Sequence, residues 1–424
     1  MRISGPQAEQ IGSSIAGAMP QPRLATHRKF LNASGDPIDS GIVLYFPAPH
    51  SFTGESVVEL HGHGGPVVVS LVVEAAVEQG ARIAEPGEFT KRAFLNDKLD
   101  LAQAEAIADL IGSGTEQAAR AALRSLTGAF SELVGEVATE IERLRLFVEA
   151  AIDFPEEEVD FLSDEQLQSA IVAAEKSFAA LIAQTKVGRV LRDGYRVVIV
   201  GKPNAGKSSL MNRLSGEDTA IVTELAGTTR DILREQINID GLAVELVDTA
   251  GLRNDPDRIE AEGIRRAREA LQSADAVLWI QDASDDDSGT LNEELPDDVP
   301  VIVVRNKVDL TNEATGTDAD DPQRVHLSAK SGAGLDELRT QIRRLAGYKD
   351  LGEQTVTARR RHVDALRRAR GHFLAGKTAL AEQRAGEVFA EELRLAHRAL
   401  GEITGTTSSD DLLGMIFTEF CIGK

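Results

Sequence analysis

Gly201-Lys202-Pro203-Asn204-Ala205-Gly206-Lys207-Ser208 follows the apolar run Val197-Val198-Ile199-Val200 and leads into Leu210, Met211 and Leu214 at helical spacing. The stretch therefore reads as a strand, a glycine-rich loop and a helix, the context in which such a loop binds phosphate. Glycines let the backbone curl so that successive amides point at the phosphates, and the start of the helix adds positive potential. Lys207 can reach the β and γ groups, and Ser208 can offer Mg²⁺ its hydroxyl. Asn204, Ala205, Gly206 and Ser209 complete the candidate triphosphate site.

Further elements follow in order. Asp248-Thr249-Ala250-Gly251 ends the apolar run 244–247, where a carboxylate can hold the Mg²⁺ shell and Gly251 can donate its amide to the γ-phosphate. Asn306-Lys307-Val308-Asp309 ends another apolar run, 299–304. Asp309 can accept from both the ring N–H and the exocyclic amine of guanine, a pair of donors that adenine lacks. Ser328-Ala329-Lys330 would complete the base pocket through its backbone. Between the first two elements lies Thr223-Glu224-Leu225-Ala226-Gly227-Thr228-Thr229-Arg230, the place for a switch loop whose Thr229 closes over Mg²⁺. Together these residues resemble the GTPases of the translation-factor type. The β-type runs, 276–280 among them, alternate with helical ones, as buried parallel strands do.

Outside this segment the texture changes. Residues 1–95 carry short β-rich runs at 41–46 and 56–60 and an apolar helical stretch at 66–78, which reads as a small α+β domain. Residues 96–194 read as long helices, with Ile141, Leu144, Val148 and Ala151 on one face and a stop at Phe154-Pro155. Helical texture resumes over 348–424, with Leu393, Ala396, Leu400 and Ile403 on one face and Gly405 as a stop. The expected fold is thus an α/β phosphate-loop domain, 195–347, inserted in an all-α domain and preceded by the α+β domain. The chain has 424 residues, too many for one core, and 46 Lys plus Arg against 68 Asp plus Glu, a net charge of −22. Such a charge repels polyanions except where basic residues gather locally. The one cysteine, Cys421, allows no internal disulfide, and no apolar segment reads as a leader or membrane span, so a cytoplasmic protein is expected.

A glutamine often follows Asp-x-x-Gly to orient the attacking water, but Leu252 stands there. With Asn204, the Gly227-Thr228-Thr229-Arg230 switch and the terminal Cys421-Ile422-Gly423-Lys424, the chain resembles the MnmE (TrmE) family of tRNA-modification GTPases. The resemblance spans nearly the whole chain. It includes Ser51-Phe52-Thr53-Gly54-Glu55, His61-Gly62-His63-Gly64-Gly65, Pro86-Gly87-Glu88-Phe89 and the run 94–106 that begins Phe94-Leu95-Asn96-Asp97-Lys98. It implies K⁺-activated GTP hydrolysis in a homodimer, with K⁺ held by Asn204, Thr223, Leu225 and Thr228. Amide, carbonyl and hydroxyl oxygens suit that cation, which supplies charge at the phosphates. It places the water-orienting glutamate at Glu260, acting with Lys207, Thr229 and Gly251. Taken alone, Glu260 reads as a solvated carboxylate at a helix start; the resemblance reverses that reading.

The resemblance also implies that the N-terminal domain binds a 5-formyl- or methylene-tetrahydrofolate-type one-carbon donor, with Arg2, Glu59, Lys98 and Lys424 as matching contacts. It implies a heterotetramer with the flavoprotein MnmG (GidA), addition of a (carboxymethyl)aminomethyl group at C5 of the wobble uridine, and tRNA contact mainly through that partner. The family carries a further first strand before Arg2, so an upstream start or a trimmed terminus is expected ahead of Met1. His61 and His63 are either metal ligands or, in a glycine-rich turn, conformational. Cys421, on a terminal helix with Leu413, Ile416, Phe417 and Phe420, is either a nucleophile or a small packed residue. Two other classes remain. A GTP-dependent ribosome-assembly switch would carry a basic RNA-binding module, and a stand-alone folate enzyme would turn over without GTP.

Overall fold

A computed structural model describes residues 1–153, 165–217, 234–248, 269–285, 299–348, 355–407 and 416–417. The chain forms two compact units, Met1–Ala108 with His397–Lys424, and Asp109–Ala396.

The first unit is built on a four-stranded antiparallel sheet of β1 (Arg2–Ser4), β2 (Thr26–Leu31), β3 (Pro37–Phe46) and β4 (Val57–His61), in the order β1-β4-β3-β2. Alternating residues Phe30, Val43, Tyr45, Val58 and Leu60 face the core, where they meet Ile11 and Ile15 of α1 (Ala8–Ala16) and Val72, Ala75 and Ala76 of α2 (Pro66–Glu78). Pro66 starts α2 at the position where its missing N–H costs nothing. The β2 strand was not singled out in the sequence because three of its six residues, His27, Arg28 and Lys29, are charged or polar and all are exposed. Helices α3 (Glu88–Leu95) and α4 (Leu101–Ile111) follow. At the start of α4, Asp100 and Gln103 exchange backbone-to-side-chain hydrogen bonds of 3.0 and 2.8 Å.

In this unit the motif residues of 51–55 and 88–98 converge. Asn96 Nδ2 donates to the Thr53 carbonyl at 2.7 Å, and Arg92 donates to Glu55 at 2.8 Å and to Glu88 at 2.7 Å. Arg82 also pairs with Glu88. Burial works against the Glu88 charge, but Arg82, the Glu85 N–H and Arg92 outweigh it and hold the carboxyl at about 2, below its ordinary 4.5.

The second unit joins helices to a seven-stranded sheet. Helices α5 (Glu116–Leu126), α6 (Ala129–Asp153) and α7 (Glu165–Asp193) bury Ile141, Leu144 and Val148 with Ile171, Phe178 and Leu181, while Ala151 is half-buried. Helix α6 ends at Asp153, and the Phe154-Pro155 stop lies just outside the described residues. The sheet comprises β5 (Tyr195–Gly201), β6 (Arg234–Ile239), β7 (Leu242–Asp248), β8 (Ala276–Asp282), β9 (Val301–Asn306), β10 (Gly316–Thr317) and β11 (Arg324–His326), in the order β10-β11-β9-β8-β5-β7-β6. Strands β11, β9, β8, β5 and β7 run parallel, and β10 and β6 are antiparallel edges. On β5, Val197 and Ile199 face one core with Leu210 and Leu214 of α8 (Lys207–Glu217) and Leu338 and Ile342 of α10 (Leu335–Leu345); Val198 and Val200 face the other. The short α9 (Val308–Thr311) lies between β9 and β10. Helix α11 (Arg360–Gln383) and the first part of α12 (Gly386–Thr404) also belong to this unit, with Leu393 and Ala396 buried; Leu400 and Ile403, buried too, lie in the part of α12 that belongs to the first unit, and Gly405 stops the helix at φ 88°.

This is an α/β phosphate-loop domain inserted between α7 and α11. The neck of the insertion is held on both sides. Asp109 accepts from Arg192, on the way in, at 2.9 Å, and from Arg359, on the way out, at 2.7 Å. Ser125 Oγ accepts from the Thr357 N–H at 2.9 Å, and Arg124 donates to the Thr355 carbonyl at 2.6 Å. Among the described residues no helix is long and apolar enough to cross a membrane.

Two outcomes follow from this packing. A Cβ on Gly188 of α7 would lie 2.4 Å from the Val356 carbonyl and 3.1 Å from the Ala358 nitrogen, so Gly188→Ala must displace the returning chain. It should cost about 1–3 kcal/mol in chemical denaturation, the usual range for overpacking. Because the folded-state pKa of Glu88 is depressed, its stabilisation is present above about 4.5 and is lost as the pH falls toward about 2. The stability gap between wild type and Glu88→Gln, followed by thermal unfolding, should therefore close over that acid window and stay constant from pH 6 to 8.

Candidate functional site

The loop after β5 is shaped by what surrounds it. A Cβ on Gly206, at φ 98°, would lie 2.2 Å from Asn306 Nδ2, and one on Gly201, at φ 151°, would lie 2.4 Å from the Ile280 carbonyl. Only glycine lets the loop pass this close to its neighbours. Asn204 takes the left-handed conformation at φ 63°, which asparagine tolerates better than most side chains, and it is exposed. Lys207 is 7 % exposed and folds back over the loop, its ammonium donating to the Gly201 and Lys202 carbonyls at 2.7 Å each. Ser208 and Ser209 are exposed at the start of α8, while Ala205 is buried. A loop with a cationic centre, a left-handed turn and free hydroxyls at a helix start fits a polyphosphate.

Asn306, 2 % exposed, joins this loop to the turn after β11. Its Nδ2 donates to the Ala205 carbonyl at 2.9 Å, and its Oδ1 accepts from the Ala329 N–H at 3.0 Å. The buried Ser328 donates its N–H to the Ala333 carbonyl at 2.9 Å and accepts from Gly332 at 2.8 Å, which fixes the turn that carries Ala329 and the exposed Lys330. Lys307, at φ 67°, pairs with Asp282 at 2.6 Å. Asp309 is exposed in α9. The structure therefore brings Asn204, Ala205, Gly206, Lys207, Ser208, Ser209, Asn306, Lys307, Asp309, Ser328, Ala329 and Lys330 to the C-terminal ends of β5 and β9 and the loop after β11. Asp248 ends β7 beside Ile199, so its backbone lies at the same edge. Thr223, Glu224, Leu225, Ala226, Gly227, Thr228, Thr229, Thr249, Ala250, Gly251 and Glu260 lie outside the described residues.

In the N-terminal unit, Arg2 and Glu59 face each other across β1 and β4 and pair at 2.9 Å. The Arg2 guanidinium also lies 5.6 Å from the centre of the Phe52 ring and 5.5 Å from that of Phe89. Burial raises the Glu59 carboxyl, but His61 and Arg2 outweigh it and hold it below its ordinary value. The stem of Lys98 passes over Gly54, whose Cβ would lie 3.2 Å from Lys98 Cε. Of Arg2, Glu59 and Lys98, Arg2 alone lines the adjacent cavity of about 800 Å³, whose other walls include Val73, Val77 and Phe89. Lys424 and Cys421 lie outside the described residues. The two histidines have separate acidic partners, His61 on Glu59 at 3.1 Å and His63 on Asp39 at 2.7 Å. No group of three or more metal-ligating side chains occurs among the described residues. The sequence reading missed Asp282. Its signal, a carboxylate at the end of an apolar run, was present but carries no motif.

Two family models match the chain: "GTP-binding protein TrmE N-terminus" over residues 1–98 and "MnmE helical domain" over residues 101–421. The tRNA modification GTPase MnmE of Alkalilimnicola ehrlichii is 53% identical over all of this chain and 96% of its own length. The proteins of the same name from Marinobacter nauticus and Stutzerimonas stutzeri are 50% and 51% identical, again over all of this chain and over 95% of theirs. With the phosphate loop, its asparagine strut and the inserted architecture already in place, these matches show that the chain belongs to the MnmE (TrmE) family of tRNA modification GTPases.

Proposed function

We propose that this protein is a K⁺-activated GTPase that works in the cytoplasm with the flavoprotein MnmG (GidA) to add a (carboxymethyl)aminomethyl group to C5 of the wobble uridine of tRNA. The observation that carries the reading is the full-length match to tRNA modification GTPases, on a chain whose phosphate loop and base side are tied together by Asn306.

In the proposed mechanism, GTP enters with its phosphates over the loop, and Lys207 exchanges the Gly201 and Lys202 carbonyls for the β and γ oxygens. The exchange replaces two neutral acceptors with anionic ones, and charge-assisted bonds are the stronger kind. Asp309 reads the two donors of guanine, and Ala329 and Lys330 close the base pocket. Ser208 and Thr229 would hold Mg²⁺, with the Asp248 carboxylate in its outer shell. Asn204, Thr223, Leu225 and Thr228 would hold K⁺, which supplies positive charge where the transition state concentrates negative charge. Glu260 orients the attacking water in place of the absent glutamine, and Gly251 donates to the γ-phosphate. The two G domains of a homodimer meet to complete this arrangement. Arg2, Glu59, Lys98 and Lys424 would hold the tetrahydrofolate donor, which when bound would supply the one-carbon unit. With a net charge of −22 on this chain, the partner takes most of the tRNA contact.

GTP turnover should be at least about tenfold faster in KCl than in NaCl of equal ionic strength, and Asn204→Ala should lose that difference, a change of roughly 1.4 kcal/mol in barrier. Equal rates in both salts would break the K⁺ assignment. Asp309→Asn puts an amide donor where the carboxylate accepted, so it should weaken GTP binding and favour xanthosine triphosphate, whose C2 carbonyl accepts. Competition binding between the two nucleotides checks this.

A further inference from the structure

Strand β8 ends at Asp282, directly beside Asn306 in the parallel β8–β9 pairing, and the Ala283 N–H donates to the Asn306 carbonyl at 2.8 Å. The Asp282 carboxylate is divided between two neighbours. One oxygen accepts from the hydroxyl and the N–H of Ser284, at 2.6 and 2.9 Å, and the other accepts from the Lys307 ammonium at 2.6 Å. Burial opposes the carboxylate's charge, but these donors keep its pKa near 2, so the anion persists across any working pH. Lys307 itself stands in the left-handed region between Asn306, which is tied to the phosphate loop, and Asp309. A lysine side chain is flexible, and a free one would have to be ordered each time a ligand arrived. Here its far end is already fixed.

We propose that Asp282 is a positioning residue for the guanine nucleotide: by anchoring the Lys307 ammonium it lays the methylene stem along the base side of the site, so that the purine meets a preformed apolar wall. The proposal rests on Asp309 reading the base, as proposed above. Pre-organisation of this kind raises affinity by removing an ordering cost and leaves the chemical step alone.

The test is a double-mutant cycle on the full chain, read by binding and dissociation of a fluorescent GDP analogue and by steady-state GTP hydrolysis. Asp282→Asn keeps the side chain's shape and should weaken GDP by about tenfold, the scale of one charge-assisted hydrogen bond, chiefly through faster dissociation. KM for GTP should rise in step while kcat holds. In a Lys307→Ala background the same substitution should change nothing further, because the two act as one unit. Ser284→Ala, which loosens only one oxygen of the carboxylate, should give a smaller weakening in the same direction and covers the case in which Asp282→Asn fails to fold. Three results overturn the proposal. Additive effects of Asp282→Asn and Lys307→Ala would show that the carboxylate acts elsewhere. A lower melting temperature of the nucleotide-free protein with unchanged GDP affinity would make the pair part of the fold only. Tighter GDP binding by Asp282→Asn would mean that the pair blocks the base. Wild-type protein that binds ATP as well as GTP would strike the reading of the guanine site itself, an outcome distinct from these three.

Discussion

The arrangement around the phosphate loop depends on one side-chain amide. Asn306 is buried, and both ends of its amide are used, the nitrogen on the phosphate loop at Ala205 and the oxygen on the turn at Ala329. These partners belong to segments that are more than a hundred residues and more than twenty residues away in sequence, so the asparagine converts three loops into one surface. A buried amide with either end unmet would cost the full desolvation of that group. The requirement therefore works in both directions: the asparagine positions the loops, and the loops alone satisfy the asparagine. The absence of a side chain at Gly206 is the complement of this strut, because the amide occupies the space that a Cβ would take.

The N-terminal unit follows a different logic. Its signature residues meet through charge and hydrogen bonds more than through apolar packing. Arg92 ties Glu55 to Glu88, Asn96 holds the Thr53 carbonyl, and Arg2 lies within 5.6 Å of the Phe52 and Phe89 ring centres while it pairs with Glu59. The motif residues of 51–55 and 88–98 are thus accounted for in part by one another. His61 and His63 belong to this pattern, each engaged by its own carboxylate, Glu59 or Asp39.

Much of this was legible in the sequence for physical reasons. The run 197–200 is apolar on both faces because β5 lies in the middle of a parallel sheet with a core on either side, and such runs stand out. Pro66, Gly405 and the helical spacing of Ile141, Leu144 and Val148 mark element ends and buried faces by local chemistry that needs no tertiary context. Strand β2 was not legible, because an edge strand with His27, Arg28 and Lys29 exposed has almost no apolar signal; its pairing with β3 makes it a strand. The Arg192–Asp109–Arg359 cluster was equally hidden, since its members are separated by up to 250 residues and none sits in a recognisable pattern. Asp282 shares that invisibility. A carboxylate after an apolar run is common, and only proximity to Lys307 gives it meaning.

The neck at Asp109 has a mechanical consequence. One carboxylate holds both the segment that enters the G domain and the segment that leaves it, through Arg192 and Arg359. The exit segment is gripped again by Ser125 at the Thr357 N–H and by Arg124 at the Thr355 carbonyl, so the two crossings are clamped against separation at more than one point. A displacement of the exit segment would therefore be passed directly to α5, whose Arg124 and Ser125 hold it, and to α7, whose Gly188 lies against the Val356 carbonyl.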